Sequence, residues 1–342
     1  MNLIAEDAGI QIVKEICTDM KIEKEWRINS ERGFEWWGHQ FKQKIWAEPP
    51  MEKTLTTITR VHVETDFLKY PKRSESTDNR LAEILRLSSL SGLIHDPENG
   101  CLKWHSSAFV HKKNKCWLDK MVFLAAVMQI RDCERIGVLA DQLELKPHHS
   151  CHPHSGPREK IDGTLCAFDQ WIMHEGKKPV LNIGEEEFSF VSKILNNINI
   201  RSAASKFGLS AYIPFGRDVS LLQVIINQPH PVLGNGILMR LSLPPEDLWE
   251  VEEINGSLII DMNSMDQKDW PTGHFMGSWC LGPVGPNSLT PVFVSFIPKI
   301  ACNPTILANM VLSMIGHNTW AEGYFFAWDR KEKFRKCKVE FQ

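Results

Sequence analysis

The pattern of apolar and polar positions from Leu90 to Leu143 predicts two strands followed by one long helix. The residues Asp96 to Gly100 include Pro and an Asn-Gly pair, which favour a tight turn and therefore a hairpin. The return strand, Cys101 to Val110, alternates with the period of two that a strand requires. From Leu118 the pattern is helical, and its first half is apolar on nearly every side. Such a helix is expected to be covered from more than one direction.

A looser version of the same order runs from Ser257 to Trp320 and predicts a second unit of this kind. The predicted elements are strands at Ser257 to Met262, His274 to Leu281 and Thr290 to Ile297, and a helix that begins at Asn303-Pro304. Asn as the helix cap and Pro at the first helical position are typical start signals. The repetition predicts a duplicated domain.

The remaining segments complete each half. The predicted elements are a helix at Glu6 to Ile28, a strand from Phe34 to Trp46, a strand at Thr56 to Phe67, and helices near Leu81 to Leu87, Glu187 to Asn197 and Pro244 to Ile254. Further strands are predicted at Leu209 to Pro214, Ser220 to Asn227 and Gly236 to Leu243. Because Thr56 to Phe67 alternates along its whole length, it is typical of an antiparallel strand rather than a buried parallel one.

The predicted fold class is α+β, with two similar domains packed as a pseudo-dimer. Each domain is an antiparallel sheet flanked by helices in the order α-β-β-(β)-α-β-β-α. Residues 1–146 form the first repeat and 185–328 the second. Between them, 147–184 is a linker that contains His and Pro and a predicted strand at Leu165 to Met173. Residues 329–342 form a charged tail.

Composition narrows the function classes. The 342 residues are 43% hydrophobic and 24% charged, as in an ordinary globular protein. The formal net charge of −3 and the lack of a basic stripe with aromatics argue against a nucleic-acid partner. The longest apolar run, Met121 to Met128, is too short to cross a membrane. Nine scattered cysteines favour reduced thiols, and no signal peptide is visible, so we expect a cytoplasmic protein.

Element order and three stretches give a resemblance that covers both halves. The stretches are Thr59 to Asp66 (TRVHVETD), the hairpin Leu90 to Val110 and the strand Leu238 to Leu243 (LMRLSL). In this order the chain resembles type III secretion chaperones and the related YbjN-like proteins, as a tandem pair. The resemblance implies protein binding through sheet or helix surfaces, without catalysis. A tandem chain can also replace the homodimer of single-domain relatives, which implies a monomer.

The segment from Pro147 to Gly156 is the sharpest cluster of metal-binding residue types. Its candidate ligands for zinc are His148, His149, Cys151, His152 and His154. A metal-binding protein, or a metal-dependent hydrolase that uses this cluster, is therefore the alternative function. The competing interpretation is a polar linker, because all five candidates lie on one segment and the prolines forbid a helical pair of histidines.

A second candidate for chemistry is Arg60, His62 and Glu64, which share one face of a predicted strand. They can act in acid–base catalysis if that face lines a polar pocket, or they can form the solvent face of the strand. The segment from His230 to Gly236 is more typical of a hairpin connection than of an anion site. Cys280 is predicted to be a core cysteine, since His274 on the same strand is too distant to activate it.

Trp36, Trp37 and Trp46 are the candidate protein-binding residues. Aromatic side chains are enriched at interface centres, but the same residues can fill the core of the first domain. The sequence contains no dinucleotide-binding glycine pattern, phosphate loop or nucleophile elbow. We therefore predict a non-catalytic chaperone-like or adaptor protein that binds a protein partner and needs no cofactor, zinc being the alternative.

Overall fold

The computed structural model describes residues 7–53, 56–140, 143–244, 254–268, 273–285 and 288–339. The first half contains the helices α1 (Ala8–Asp19), α2 (Glu75–Ile84) and α3 (Lys115–Ala140). Its strands are β1 (Arg27–Ser30), β2 (Gly33–Trp37), β3 (Lys42–Ala47), β4 (Met51–Lys53), β5 (Thr56–Lys69), β6 (Gly92–Asp96), β7 (Cys101–Val110) and β8 (Lys146–Pro147). They form one antiparallel sheet in the order β1-β2-β3-β5-β7-β6, with the short strands β4 and β8 paired to β5.

A helix, α4 (Gly163–Gly176), leads to the second half. This half contains the helices α5 (Glu185–Asn197), α6 (Gly256–Asp266) and α7 (Pro304–Val339). Its strands are β9 (Arg201–Ser205), β10 (Gly208–Phe215), β11 (Asp218–Ile226), β12 (Gly236–Ser242), β13 (Ser278–Gly285) and β14 (Ser288–Pro298). They form a second antiparallel sheet in the order β9-β10-β11-β12-β14-β13, which is the strand order of the first sheet. The predicted fold class is confirmed.

One row of paired residues crosses each sheet and shows how the halves correspond. The first row is Ser30, Gly33, Trp46, His62 and Ser107, and the second is Ser205, Gly208, Ile225, Leu238 and Phe296. Both rows thus begin with a Ser-x-x-Gly hairpin. A Cβ atom at either glycine would overlap a carbonyl oxygen of the next strand, so both positions require glycine.

The helices of each half pack against one face of the sheet of that half. In the first half, Gln129 of α3 donates to the carbonyl of Val63 and accepts from Thr65, which fixes α3 against β5. Gln43 of β3 also donates to Ala126 of α3. Apolar residues surround these bonds, and each buried aliphatic side chain contributes roughly 1.5–3 kcal/mol. The opposite face, which none of the described helices of the first half covers, carries Trp46 and His62, because neighbouring residues in a strand point to opposite sides.

The halves contact each other through equivalent positions. By register, Ser89 and Ser107 of the first half correspond to Phe275 and Phe296 of the second. The amide of Ser107 donates to the carbonyl of Phe275 at 2.9 Å. The amide of Phe296 donates to the carbonyl of Ser89, also at 2.9 Å. This reciprocal pair has the pattern of the isologous interface of a two-fold dimer, here within one chain.

Helices α2 and α6, one from each half, contact each other in this interface. Arg73, just before α2, donates to Asp78 at 2.8 Å and to Asp261 of α6 at 2.5 Å. The hydroxyl of Ser257 donates to Asp78 at 2.8 Å. At Gly256 a Cβ atom would overlap the backbone of α2, so the close crossing depends on glycine. None of the helices in the described ranges is both long and apolar enough to cross a membrane.

Four sequence predictions of secondary structure are wrong. The helix predicted at Glu6 to Ile28 ends at Asp19, and Arg27 and Ile28 belong to β1. Leu165 to Met173 is part of α4, which begins where Asp162 accepts hydrogen bonds from the amides of residues 164 and 165. Ser257 to Met262 is part of α6, capped by Asn255. A short apolar run has the same pattern in a strand and in a buried helix, and it was misassigned for that reason. Phe34 to Trp46 forms two strands, not one. The predicted helix at Pro244 to Ile254 lies almost wholly outside the described residues.

Candidate functional site

The five predicted metal ligands do not form a common site. His149 lies against Phe41, with ring centroids 5.3 Å apart, and His152 packs edge-on against Trp37 at 4.8 Å. Cys151 and His154 are exposed. The reason is a tight turn, in which His152 and Gly156 exchange backbone hydrogen bonds. This turn directs the side chains to different surroundings, so the prediction of a five-residue cluster is wrong.

One of the five, His148, instead lies beside two residues that sequence reasoning missed. The ligand atoms of Asp66, Cys101 and His148 all lie within 4.8 Å of one another. Pairing of β8 with the end of β5 brings His148 there, and its amide donates to the carbonyl of Phe67 at 2.8 Å. A register shift in β5 after Asp66, where β5 pairs with the start of β7, completes the arrangement. We call these three residues the Asp-Cys-His cluster.

The Asp-Cys-His cluster is largely shielded from water. Cys101 is fully buried, and burial together with the nearby Asp66 raises the pKa of its thiol to about 11. Burial also lowers the pKa of His148. Its Nδ1 is closed off from solvent and has no hydrogen-bond partner within the described ranges. A buried ring nitrogen without a partner is costly unless something binds it.

Two lysines lie near the carboxylate of Asp66. Lys42 is 3.4 Å from Oδ2 and Lys103 is 3.9 Å from Oδ1. Both distances exceed the roughly 2.7–2.9 Å of a charge-assisted hydrogen bond. Lys103 is much closer to Asp96, at 2.7 Å. Burial lowers the pKa of Lys103, but the bond to Asp96 and the charge of Glu64 outweigh it, so its pKa is raised.

The strand face with Arg60, His62 and Glu64 is closed, so the prediction of a solvent face is wrong. His62 is 4% exposed and bonds Glu48 at 2.8 Å, while Glu64 bonds His105 at 3.0 Å. Burial lowers the pKa of His62 to about 4. The rings of His62 and His105 are both buried, and the ring of His105 lies against Phe275 of the other half. A substrate cannot reach either ring for acid–base catalysis.

The predicted tryptophan surface is also wrong. Trp36 is 0% exposed and donates to Gln43 at 2.8 Å inside the core. Trp37 is 2% exposed beneath the ring of His152. Trp46 is partly exposed, but it stacks on His62 with ring centroids 4.6 Å apart. These three tryptophans therefore serve packing of the first half.

An open apolar face lies on the second sheet instead. Tyr212 is 46% exposed and Val219 is 48% exposed on the side of β10 and β11 that no helix in the described ranges of this half covers. The register places the partly exposed side chains Leu221, Ile225 and Leu238 on this side as well. We call these five residues the open apolar face. The alternation within β10 and β11 is the sequence signal for this face; it predicts two strands but does not specify which side of the sheet remains uncovered.

The remaining candidates have structural roles. The ring of His230 accepts from the amides of Val232 and Leu233 and bonds the carbonyl of Leu87 at 2.9 Å. The segment connects β11 to β12, which confirms the hairpin prediction. Cys280 is fully buried, and burial raises the pKa of its thiol to about 12, which confirms the prediction of a core cysteine.

The chain thus carries three features: the Asp-Cys-His cluster, a closed polar face on the first sheet that includes Arg60, His62 and Glu64, and the open apolar face on the second sheet. The closed polar face and the open apolar face occupy corresponding positions in the two halves, since Trp46 and His62 correspond to Ile225 and Leu238. No family model, no curated protein and no solved structure matches this chain.

Proposed function

We propose that the chain is a non-catalytic chaperone-like or adaptor protein that binds a segment of a protein partner on the open apolar face. The observation that carries this proposal is the exposure of Tyr212 and Val219, next to Leu221, Ile225 and Leu238, on a sheet face that none of the described helices of its own half covers. An apolar surface of several adjacent side chains is typical of protein-binding sites. A partner's apolar side chains would be removed from water there.

Charge at the edges of this face indicates the kind of segment. Arg201 pairs in register with Tyr212, and its guanidinium lies 5.9 Å from the centre of that ring. Arg240 pairs with Gln223 on the same side of the sheet. Both arginines can bind carboxylates. The segment we propose is therefore apolar at its centre and acidic at its ends.

Divergence between the halves supports one site rather than two. The corresponding face of the first sheet is filled by ion pairs and rings, including Glu48 with His62 and Glu64 with His105. That face of the first sheet is buried, whereas the open apolar face of the second sheet remains exposed. The first half then serves as the structural partner of the second. The location we propose is a reducing cytoplasm, because the eight cysteines whose side chains the structure describes are free thiols.

Binding to a peptide array tests the proposal. The array presents peptides with an apolar centre and acidic, neutral or basic ends, and affinities of the best peptides are then measured in solution. In the variant Tyr212→Ser/Val219→Ser we expect affinity to fall roughly tenfold or more, since loss of a central aromatic contact costs upwards of about 1 kcal/mol.

The matched control is Leu181→Ser/Leu312→Ser, which removes two other exposed apolar side chains, 85% and 43% exposed. Thermal unfolding of both variants shows that the fold is kept. Equal binding by the two variants contradicts the proposal, as does a wild-type chain that binds none of the peptides. Preference for basic over acidic ends would contradict the assigned role of Arg201 and Arg240.

A further inference from the structure

We propose that the Asp-Cys-His cluster binds one zinc-like divalent metal ion, with Asp66, Cys101 and His148 as ligands and solvent as the fourth. This site lies on the first half of the chain and is independent of the open apolar face. Carboxylate oxygen, thiolate sulfur and imidazole nitrogen are all ligands of Zn²⁺. The presence of sulfur and nitrogen favours Zn²⁺ or Co²⁺ over Mg²⁺ or Ca²⁺, which prefer oxygen ligands.

The geometry requires only small adjustments. Metal–ligand bonds of about 2.0–2.3 Å at tetrahedral angles place ligand atoms roughly 3.3–3.8 Å apart. The three atoms already lie within 4.8 Å of one another. Each belongs to a separate backbone segment that is held by sheet pairing, so side-chain rotation alone closes the difference. Ligands on separate elements are what the His-rich segment by itself lacks.

The charges also balance. A divalent ion, the carboxylate of Asp66 and the thiolate of Cys101 sum to zero, and neutral His148 adds no charge. Lys103 is neutralised by Asp96 at 2.7 Å and leaves Oδ1 of Asp66 without a short hydrogen bond from either lysine. Lys42, on the other carboxylate oxygen, can orient the ligand as outer-shell groups commonly do.

The partly exposed ring of His148 places the cluster near the surface, where an ion and a water molecule can enter. The described residues of the second half include no counterpart of this cluster. By register, Ser242 and Thr290 stand where the first half has Asp66 and Cys101. The hydroxyl of Thr290 donates to the carbonyl of Pro244 at 3.0 Å. We therefore expect one metal ion per chain.

Cobalt titration of the full-length chain, purified without a His-tag and freed of metal by a chelator, tests the site. Bound Co²⁺ should give a sulfur-to-cobalt charge-transfer absorption at one equivalent, and Zn²⁺ should displace it. Cys101→Ser should abolish this absorption. His148→Ala should weaken binding by at least the roughly 10- to 100-fold that loss of an outer-shell group costs.

Matched controls come from the same chain. Cys151→Ser and His154→Ala alter exposed residues of the His-rich segment and should leave the titration unchanged. Cys280→Ser removes an equally buried thiol elsewhere and should keep the absorption. A wild-type chain without the absorption overturns the proposal. The proposal is also overturned if the absorption persists in Cys101→Ser, or if it is lost in Cys151→Ser or His154→Ala.

Discussion

His62 and His274 are two imidazole rings whose pKa values the fold changes strongly. Burial lowers the pKa of each from 6.5 to about 4. For His62 the bond to Glu48 opposes this effect, while the nearby His105 and Arg60 add to it. For His274 the neighbouring rings of His317 and His111 lower the pKa further. Both rings are therefore neutral in the folded chain at pH 6, where the unfolded chain protonates them.

The first prediction concerns this acid sensitivity. Between pH 6.5 and pH 4 the unfolded chain binds more protons than the folded chain, so the free energy of unfolding should decrease as the pH falls. Each ring should lower the free energy of unfolding by at most about 3 kcal/mol, because one pKa unit corresponds to about 1.4 kcal/mol. Denaturant unfolding measured across this range checks it.

Replacement of one ring isolates its contribution. In His62→Gln the decrease of unfolding free energy between pH 6.5 and pH 4 should be smaller, because one titrating group is gone. His174→Gln, which changes an exposed ring, should leave the pH dependence as it is. A His62→Gln chain with the wild-type slope would show that His62 is not held neutral by the fold.

At the scale of elements, the contact between α2 and α6 leaves no room for a larger side chain at residue 256. It joins the two halves where Gly256 lies against the backbone of Asp78. Helix α6 was predicted to be a strand, since Ser257 to Met262 shows too short an apolar run to reveal a helical period. The Asn255 cap, which accepts from the amide of Leu258 at 3.1 Å, was the signal that could have corrected it.

The second prediction tests this crossing. Gly256→Ala should lower the free energy of unfolding by roughly 1–3 kcal/mol, because the added methyl group forces the two helices apart. Gly163→Ala is the control, since Gly163 also begins a helix but has open space at its Cβ position. That change should be neutral or stabilise by up to about 1 kcal/mol. Equal effects of the two substitutions would contradict the close crossing.

At the scale of the whole molecule, the two halves bind each other as the two subunits of a dimer do. Reciprocal hydrogen bonds join Ser107 to Phe275 and Phe296 to Ser89. A surface that is used once within the chain is not free to bind a second copy. The contacts between α2 and α6, such as the ion pair between Arg73 and Asp261, are likewise made within one chain.

The third prediction is that the chain is a monomer in solution. Light scattering coupled to size exclusion should give a mass near 39.2 kDa across the accessible concentration range. Substitutions on the open apolar face should not change this mass. A tight dimer would contradict the interpretation of the two halves as an intramolecular pseudo-dimer.

The sequence by itself determined the elements whose patterns are long and regular. The alternation in β5, the turn between β6 and β7 and the apolar length of α3 specify local structure, because each needs only neighbouring residues. Together they gave the α+β class and the division into two similar halves. The paired Ser-x-x-Gly hairpins at Ser30 and Ser205 were also present in the sequence, but their correspondence becomes visible only with the strand registers.

Only the tertiary structure decided which faces are covered and which distant residues meet. Trp36 is buried and Tyr212 is exposed because of the layers packed on each sheet, which no local pattern specifies. Asp66, Cys101 and His148 lie far apart in the chain and meet through the pairing of β5 with β7 and β8. Contacts of this kind form only when long loops close, so no single segment of the sequence specifies them.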